Sequence, residues 1–179
     1  SKMTGGKFAN GAQSAAIAFV ANQLQDLRKS VAQKGKPGIA PASPEDIPHL
    51  EKLQGLAQQA ANEVDASYDT IDTYCKGSCR FLPWLKPMLR GTAIHRVFAN
   101  KARALSVSYD AEISYKNGVI VPYGTSGSVR ADATYGDINR PQFVIELKTG
   151  RFNYMSRGEA QGYLDNLPRG VPVYPLKVD

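Results

Sequence analysis

Phe143-Val144-Ile145-Glu146-Leu147-Lys148 decides how this chain is read. Successive side chains of a β-strand point to opposite faces, so Phe143, Ile145 and Leu147 bury together while Val144, Glu146 and Lys148 share the other face. Two opposite charges at i and i+2 on one face of an apolar strand must each be solvated or paired. Two accounts fit: a surface ion pair, or a site whose chemistry needs a carboxylate beside an ammonium.

The segment upstream favours chemistry. In Ser128-Val129-Arg130-Ala131-Asp132-Ala133 and the following Thr134, the same alternation puts Val129, Ala131 and Ala133 on one face and Arg130, Asp132 and Thr134 on the other. Ala111-Glu112-Ile113-Ser114-Tyr115 likewise sets Glu112 and Ser114 opposite Ala111, Ile113 and Tyr115, and the Asn117-Gly118 pair after it signals a type I′ hairpin. If these segments are neighbours in one sheet, Glu112, Asp132 and Glu146 converge with Lys148. Three carboxylates so close ionise together only around a cation. Asp132, Glu146 and Glu112 are therefore the expected metal ligands, in an oxygen-rich site suited to Mg²⁺, Mn²⁺ or a carboxylate-bound Zn²⁺. Such an ion lowers the pKa of bound water and neutralises charge building on a phosphate, with Lys148 orienting the water or stabilising the transition state.

Asp132, thirteen intervening residues and then Glu146-Leu147-Lys148 resembles the signature of the PD-(D/E)XK nuclease superfamily, with Glu112 in place of the additional upstream acid. The resemblance implies an α/β fold, a restriction-endonuclease-like mixed sheet flanked by helices, and the catalytic set Asp132, Glu146, Lys148 and Glu112. Gly5-Gly6-Lys7-Phe8-Ala9-Asn10-Gly11-Ala12 resembles the segment that precedes the toxic tip of bacterial contact-dependent growth inhibition and Rhs-type toxins. Gly91-Thr92-Ala93-Ile94-His95-Arg96-Val97-Phe98 resembles the start of nuclease domains in such toxins. These likenesses cover most of residues 1–12 and 91–167. They imply export as the tip of a larger toxin and action in the cytoplasm of a target bacterium. The implied partners are DNA first and tRNA second, a cognate immunity protein, and an inner-membrane receptor during uptake.

Charge is uneven along the 179 residues. Residues 1–80 carry 9 Lys+Arg against 8 Asp+Glu, a net of +1, and residues 81–179 carry 13 against 8, a net of +5. The basic half holds the acidic cluster, an arrangement suited to a polyanion that lysines and arginines recruit. A basic domain with no charged partner has the same balance. Nothing in the sequence reads bases in the manner of a zinc finger or an RNP-type sheet. A non-catalytic nucleic-acid-binding module is therefore the alternative from another class.

Residues 1–80 are expected to form a helical module and residues 81–179 the nuclease domain. Apolar residues recur at helical spacing from Ala12 to Gln33, and Gly35-Lys36-Pro37-Gly38 stops them. A Pro-rich linker follows, then a second helix from near Pro48 to about Tyr74, so the module is either an uptake device or a spacer. Cys75 and Cys79, too few for a structural zinc site, are either a short-loop disulfide or two thiols. No run reaches the roughly 20 apolar residues of a membrane span.

Further along, a helix is expected from Gly91 to Leu105 with Ile94, Val97, Phe98 and Leu105 as its buried stripe. His95 lies at the edge of that stripe and reads as a packing or surface residue, outside the catalytic set. Ser156-Arg157-Gly158-Glu159 has capping-box spacing, which makes Glu159 a cap for a helix from Arg157 to Leu167. Gln161 on that helix reads as a surface residue, although the nuclease likeness allows it near the site. The prolines of Val171-Pro172-Val173-Tyr174-Pro175-Leu176 put the last strand at a sheet edge.

Overall fold

The computed structural model describes residues 42–67, 85–150 and 155–178. The segment Gly5–Ala12, the helix expected over residues 12–33, Cys75, Cys79 and the far end of the second expected helix lie outside the described residues. Within them the chain is mixed α/β, with three helices and two sheets.

Two helices come first. In α1 (Ile47–Ala66), Leu50, Leu53, Ala57, Ala60, Ala61 and Val64 form one buried stripe. Helix α2 (Leu85–Arg103) buries Gly91, Ile94, Phe98, Ala99 and Ala102. Its described part already runs from Leu85, ahead of the expected Gly91, with Pro87 in the first described turn. Strands β1 (Tyr109–Asp110), β5 (Ala133–Asp137), β6 (Arg140–Lys148) and β7 (Val173–Lys177) make a sheet in the order β1-β5-β6-β7. The pairs β1–β5 and β5–β6 are antiparallel, and β6–β7 is parallel. Strands β2 (Ile113–Lys116), β3 (Val119–Ile120) and β4 (Val129–Ala131) form a second, antiparallel sheet in the order β3-β2-β4. Helix α3 (Arg157–Asn166) separates β6 from β7 in sequence.

Strand β6 is the spine of the core. Phe143, Ile145 and Leu147 face a cluster with α1 and α2, and Val144 faces the opposite cluster with Tyr163 and Ala160 of α3. Burying each large apolar side chain is worth about 1.5–3 kcal/mol, so a strand covered on both faces is strongly fixed in register. β7 occupies a sheet edge, as its prolines require.

Two expectations change. The three acid-bearing segments do not share one sheet: β2 and β4 belong to the small sheet, and β5 and β6 to the large one. The strand read through residues 128–134 is broken at Asp132, so Ala131 packs in the α3-side cluster and Ala133 in the cluster under α1 and α2. Glu112 is likewise outside a strand, at a bend with φ of 62° between β1 and β2. Alternation alone registers faces and is blind to a chain that changes sheets between two residues. Here it leaves the large sheet at Glu112 and returns at Asp132. The expected hairpin is present, with Asn117 and Gly118 at φ of 50° and 80° and Lys116 opposite Val119.

Helix α1, placed by sequence in a front unit, shares one core with the sheet. Its Leu50, Leu53 and Ala57 belong to the same cluster as Ile94, Phe98, Phe143, Ile145 and Leu147. Its start is tied down by the buried Asp46, whose carboxylate accepts from Gln142 Nε2 at 2.8 Å and from the Tyr174 hydroxyl at 3.0 Å.

Candidate active site

Asp132 sits where the chain crosses between sheets, and its backbone binds it to β6. Its N–H donates to the Ile145 carbonyl at 3.0 Å, and its Oδ2 accepts from the Leu147 N–H at 2.7 Å. A carboxylate held by a backbone amide on the neighbouring strand has one orientation. The register Ala133 to Ile145, carried one step further, aligns Asp132 with Glu146. Burial first, and then the nearby Asp132 charge, push the Glu146 carboxyl above the usual carboxylate range against the opposing pull of Tyr163 and Lys148.

Both oxygens of Glu146 are engaged. Oε1 accepts from Lys148 Nζ at 3.0 Å, and Oε2 accepts from the Tyr163 hydroxyl at 2.5 Å. Tyr163 is itself buried, and its hydroxyl also lies 2.7 Å from the Arg130 carbonyl. Lys148 is shared between two acids, reaching Glu159 Oε1 at 2.6 Å as well. Burial works against its charge, but the bond to Glu159 and the Glu146 carboxylate outweigh it and raise its pKa. Glu159 does cap α3 in the expected capping box, so one carboxylate both caps a helix and holds the lysine.

The second half of the site comes from α2. Gly91 lets that helix pass against the end of β6, since a Cβ there would stand 2.8 Å from Thr149 Oγ1. One turn later His95 Nδ1 lies 2.8 Å from Asp132 Oδ1. Burial alone would depress the imidazole, yet its bond to Asp132 and the charges of Asp132, Glu146 and Glu112 raise its pKa above the ordinary value. Glu112, presented by its left-handed bend, pairs through Oε2 with Arg130 Nε at 2.9 Å. His95, Glu112 and Asp132 each bring one ligand-capable atom to within 4.8 Å of one another.

The expected residues thus fall into two adjoining groups. Asp132 belongs to both; Glu112 joins it on the α2 side, whereas Glu146 and Lys148 join it on the α3 side. Sequence reading left out His95, whose place at the edge of the buried stripe of α2 is also that of an ordinary packing residue. It also left out Tyr163, whose helical position carries no mark of its hydrogen bond to Glu146. Gln161 is exposed and donates to Asp165 Oδ1 at 2.8 Å on its own helix.

A donor set of one imidazole and two carboxylates, with a third carboxylate adjoining, suits a divalent cation. His95 and Glu112 also line a cleft of about 660 Å³, together with Arg96, Arg103, Arg130 and Tyr123. No helix among the described residues is long and apolar enough to cross a membrane. No protein-family model, curated protein or solved structure matches this chain.

Proposed function

We propose that this chain is a metal-dependent nuclease of the PD-(D/E)XK type, with a restriction-endonuclease-like fold, and that it hydrolyses phosphodiester bonds of DNA. The observation that carries the proposal is Asp132, held by the Leu147 amide, beside a Glu146 and a Lys148 that share one face of β6. A buried glutamate whose ionisation a neighbouring aspartate opposes, next to a lysine, makes a centre poised for a cation and a phosphate.

Asp132, Glu112 and His95 would hold the cation, with Glu146 adjoining. When bound, a divalent ion supplies a water of lowered pKa and neutralises charge on the phosphate. The chain's own groups do the remainder. Lys148, kept charged by Glu146 and Glu159, is a donor for a non-bridging phosphate oxygen or for the attacking water. Glu146 orients that water and accepts its proton, while Tyr163 and Lys148 fix the carboxylate in place. His95, bonded to Asp132, sets the carboxylate's second oxygen. Arg96, Arg103 and Arg130 draw a polyanion to the cleft.

The toxin-like leader Gly5–Ala12 extends the proposal: the nuclease is the tip of a bacterial polymorphic toxin that acts in the cytoplasm of a competitor. Its producer then needs an immunity protein of acidic surface to cover the basic cleft.

The test is digestion of plasmid DNA and of total tRNA by the protein and its Glu146→Gln variant, with Mg²⁺, Mn²⁺, Zn²⁺ or excess chelator. DNA loss that needs both metal and Glu146 supports the proposal. Loss of tRNA alone keeps the chemistry and moves the target. Folded protein that cuts neither under any metal refutes the enzyme and favours a binding module.

A further inference from the structure

Tyr123 is out of place for a residue with no task. It is 78 % exposed on the connection between β3 and β4, yet that connection is well tied. Thr125 donates to the Pro122 carbonyl through both its N–H, at 3.2 Å, and its hydroxyl, at 2.7 Å. Ser128 does the same to Thr125, and Lys116 Nζ reaches the Ser126 carbonyl at 2.9 Å. An aromatic ring displayed to water on a braced turn loses little conformational freedom when something stacks on it.

The ring also has a built connection to the site. The Arg130 guanidinium lies over it at 5.0 Å from the centroid, and the Nε of that arginine pairs with Glu112 at 2.9 Å. Glu112 in turn stands within 4.8 Å of His95 and Asp132 at their ligand-capable atoms. Tyr123, Arg130, Glu112 and His95 line one cleft, with the exposed Arg96 and Arg103 on its α2 side. A cleft of about 660 Å³ is large enough for a nucleotide.

We infer that Tyr123 and Arg130 form a stacking platform for an unpaired base next to the phosphate to be cut, so that the substrate is a single-stranded or splayed-out nucleic acid. Every base has a π-face, and aromatic rings and guanidinium planes are its usual platforms in single-strand recognition. Arg96 and Arg103 supply the accompanying contacts to the backbone. This inference rests on the nuclease proposal and names the substrate class of that same site.

The test uses the full chain carrying Glu146→Gln, so that nothing is cut, in Mg²⁺. Fluorescence anisotropy reads its affinity for a short labelled DNA single strand, an RNA of the same sequence and the blunt DNA duplex. Single strands are expected to bind more tightly than the duplex, and the DNA and RNA arms report which sugar is preferred. Adding Tyr123→Ala should weaken single-strand binding roughly ten-fold and leave the duplex unchanged, because one stacked base is worth about that much. Tyr123→Trp should restore it. An unchanged single-strand affinity in the Ala variant, or an equal loss on duplex and single strand, overturns the platform while leaving the nuclease intact. Folded protein that binds none of the three probes overturns both.

Discussion

His95 Nδ1 and Asp132 Oδ1 stand 2.8 Å apart, which ties the middle of α2 to the bend where the chain passes from the small sheet to the large one. A helix and a sheet crossing are thereby locked by one titratable pair, and the pair is also the core of the proposed metal site. Both properties can be measured separately, because one exists without metal and the other requires it.

In metal-free protein the His95 pKa is raised above its ordinary value of 6.5. Its stabilising charge is therefore fully present below the unfolded value and is lost as pH rises through the folded one. Thermal unfolding in chelator should show Tm falling across this interval, and His95→Gln should flatten the fall. Metal affinity should run the other way, rising with pH as the imidazole gives up its proton to become a ligand. A Tm profile identical in the variant would detach His95 from Asp132.

Glu112 holds a left-handed backbone with φ of 62°, a conformation that asparagine accepts far more readily than glutamate. Its ion pair with Arg130 is half open to water and worth little, so Glu112→Asn should change stability by no more than about 0.5 kcal/mol. Removing a ligand should nonetheless cost ten-fold or more in Mn²⁺ affinity, read by titration calorimetry. Equal affinity in the variant would remove Glu112 from the ligand set.

Tyr163→Phe deletes a hydroxyl that lies 2.5 Å from Glu146 Oε2 and 2.7 Å from the Arg130 carbonyl. Leaving a buried acceptor without its donor should cost about 1–3 kcal/mol in urea unfolding. The hydroxyl also pulls the Glu146 pKa down, so its loss should move the acidic limb of the cleavage rate to higher pH. A variant with wild-type stability and an unmoved limb would mean that Tyr163 does not hold the glutamate.

On β6 the two faces should respond in opposite ways. Leu147→Asp puts a charge into the cluster under α1 and α2, where Leu147 is 2 % exposed, and should unfold the protein. Glu146→Gln removes a charge that burial and Asp132 both disfavour, so metal-free stability should hold to within about 1 kcal/mol while cutting disappears. Circular dichroism and plasmid digestion on the same preparations separate the two outcomes.

Strand β6 was legible because both its faces are strongly patterned, and the hairpin and the α3 cap were legible because each depends on residues close in sequence. What escaped was non-local. Ala131 and Ala133 are equally small and apolar, so nothing in their order tells that the chain changes sheets between them. Glu112 was recognisable as an acid of interest, but not as the residue at a left-handed bend. His95 sits one turn from Gly91, and only the close approach of α2 to Thr149 explains its contact with Asp132.

The role of α1 was hidden for the same reason, and it gives the most direct test of the fold. Composition and the Pro-rich stretch before it set the helix apart, whereas Leu50, Leu53, Ala57, Ala60 and Val64 pack in the cluster that holds Phe143 and Ile145. Gln54 Nε2 donates to the Lys177 carbonyl at 2.8 Å, and Asp46 bonds both Gln142 and Tyr174. A chain starting at residue 81 would keep α2 but strip α1 from that side of the sheet, and each large apolar side chain so exposed would forfeit about 1.5–3 kcal/mol. Several such losses together are comparable with the 5–15 kcal/mol that typically separates folded from unfolded protein. Residues 81–179 should therefore lack a cooperative thermal transition, whereas residues 42–179 should keep one. A folded, cleaving fragment beginning at residue 81 would show instead that the sheet and α2 stand without α1.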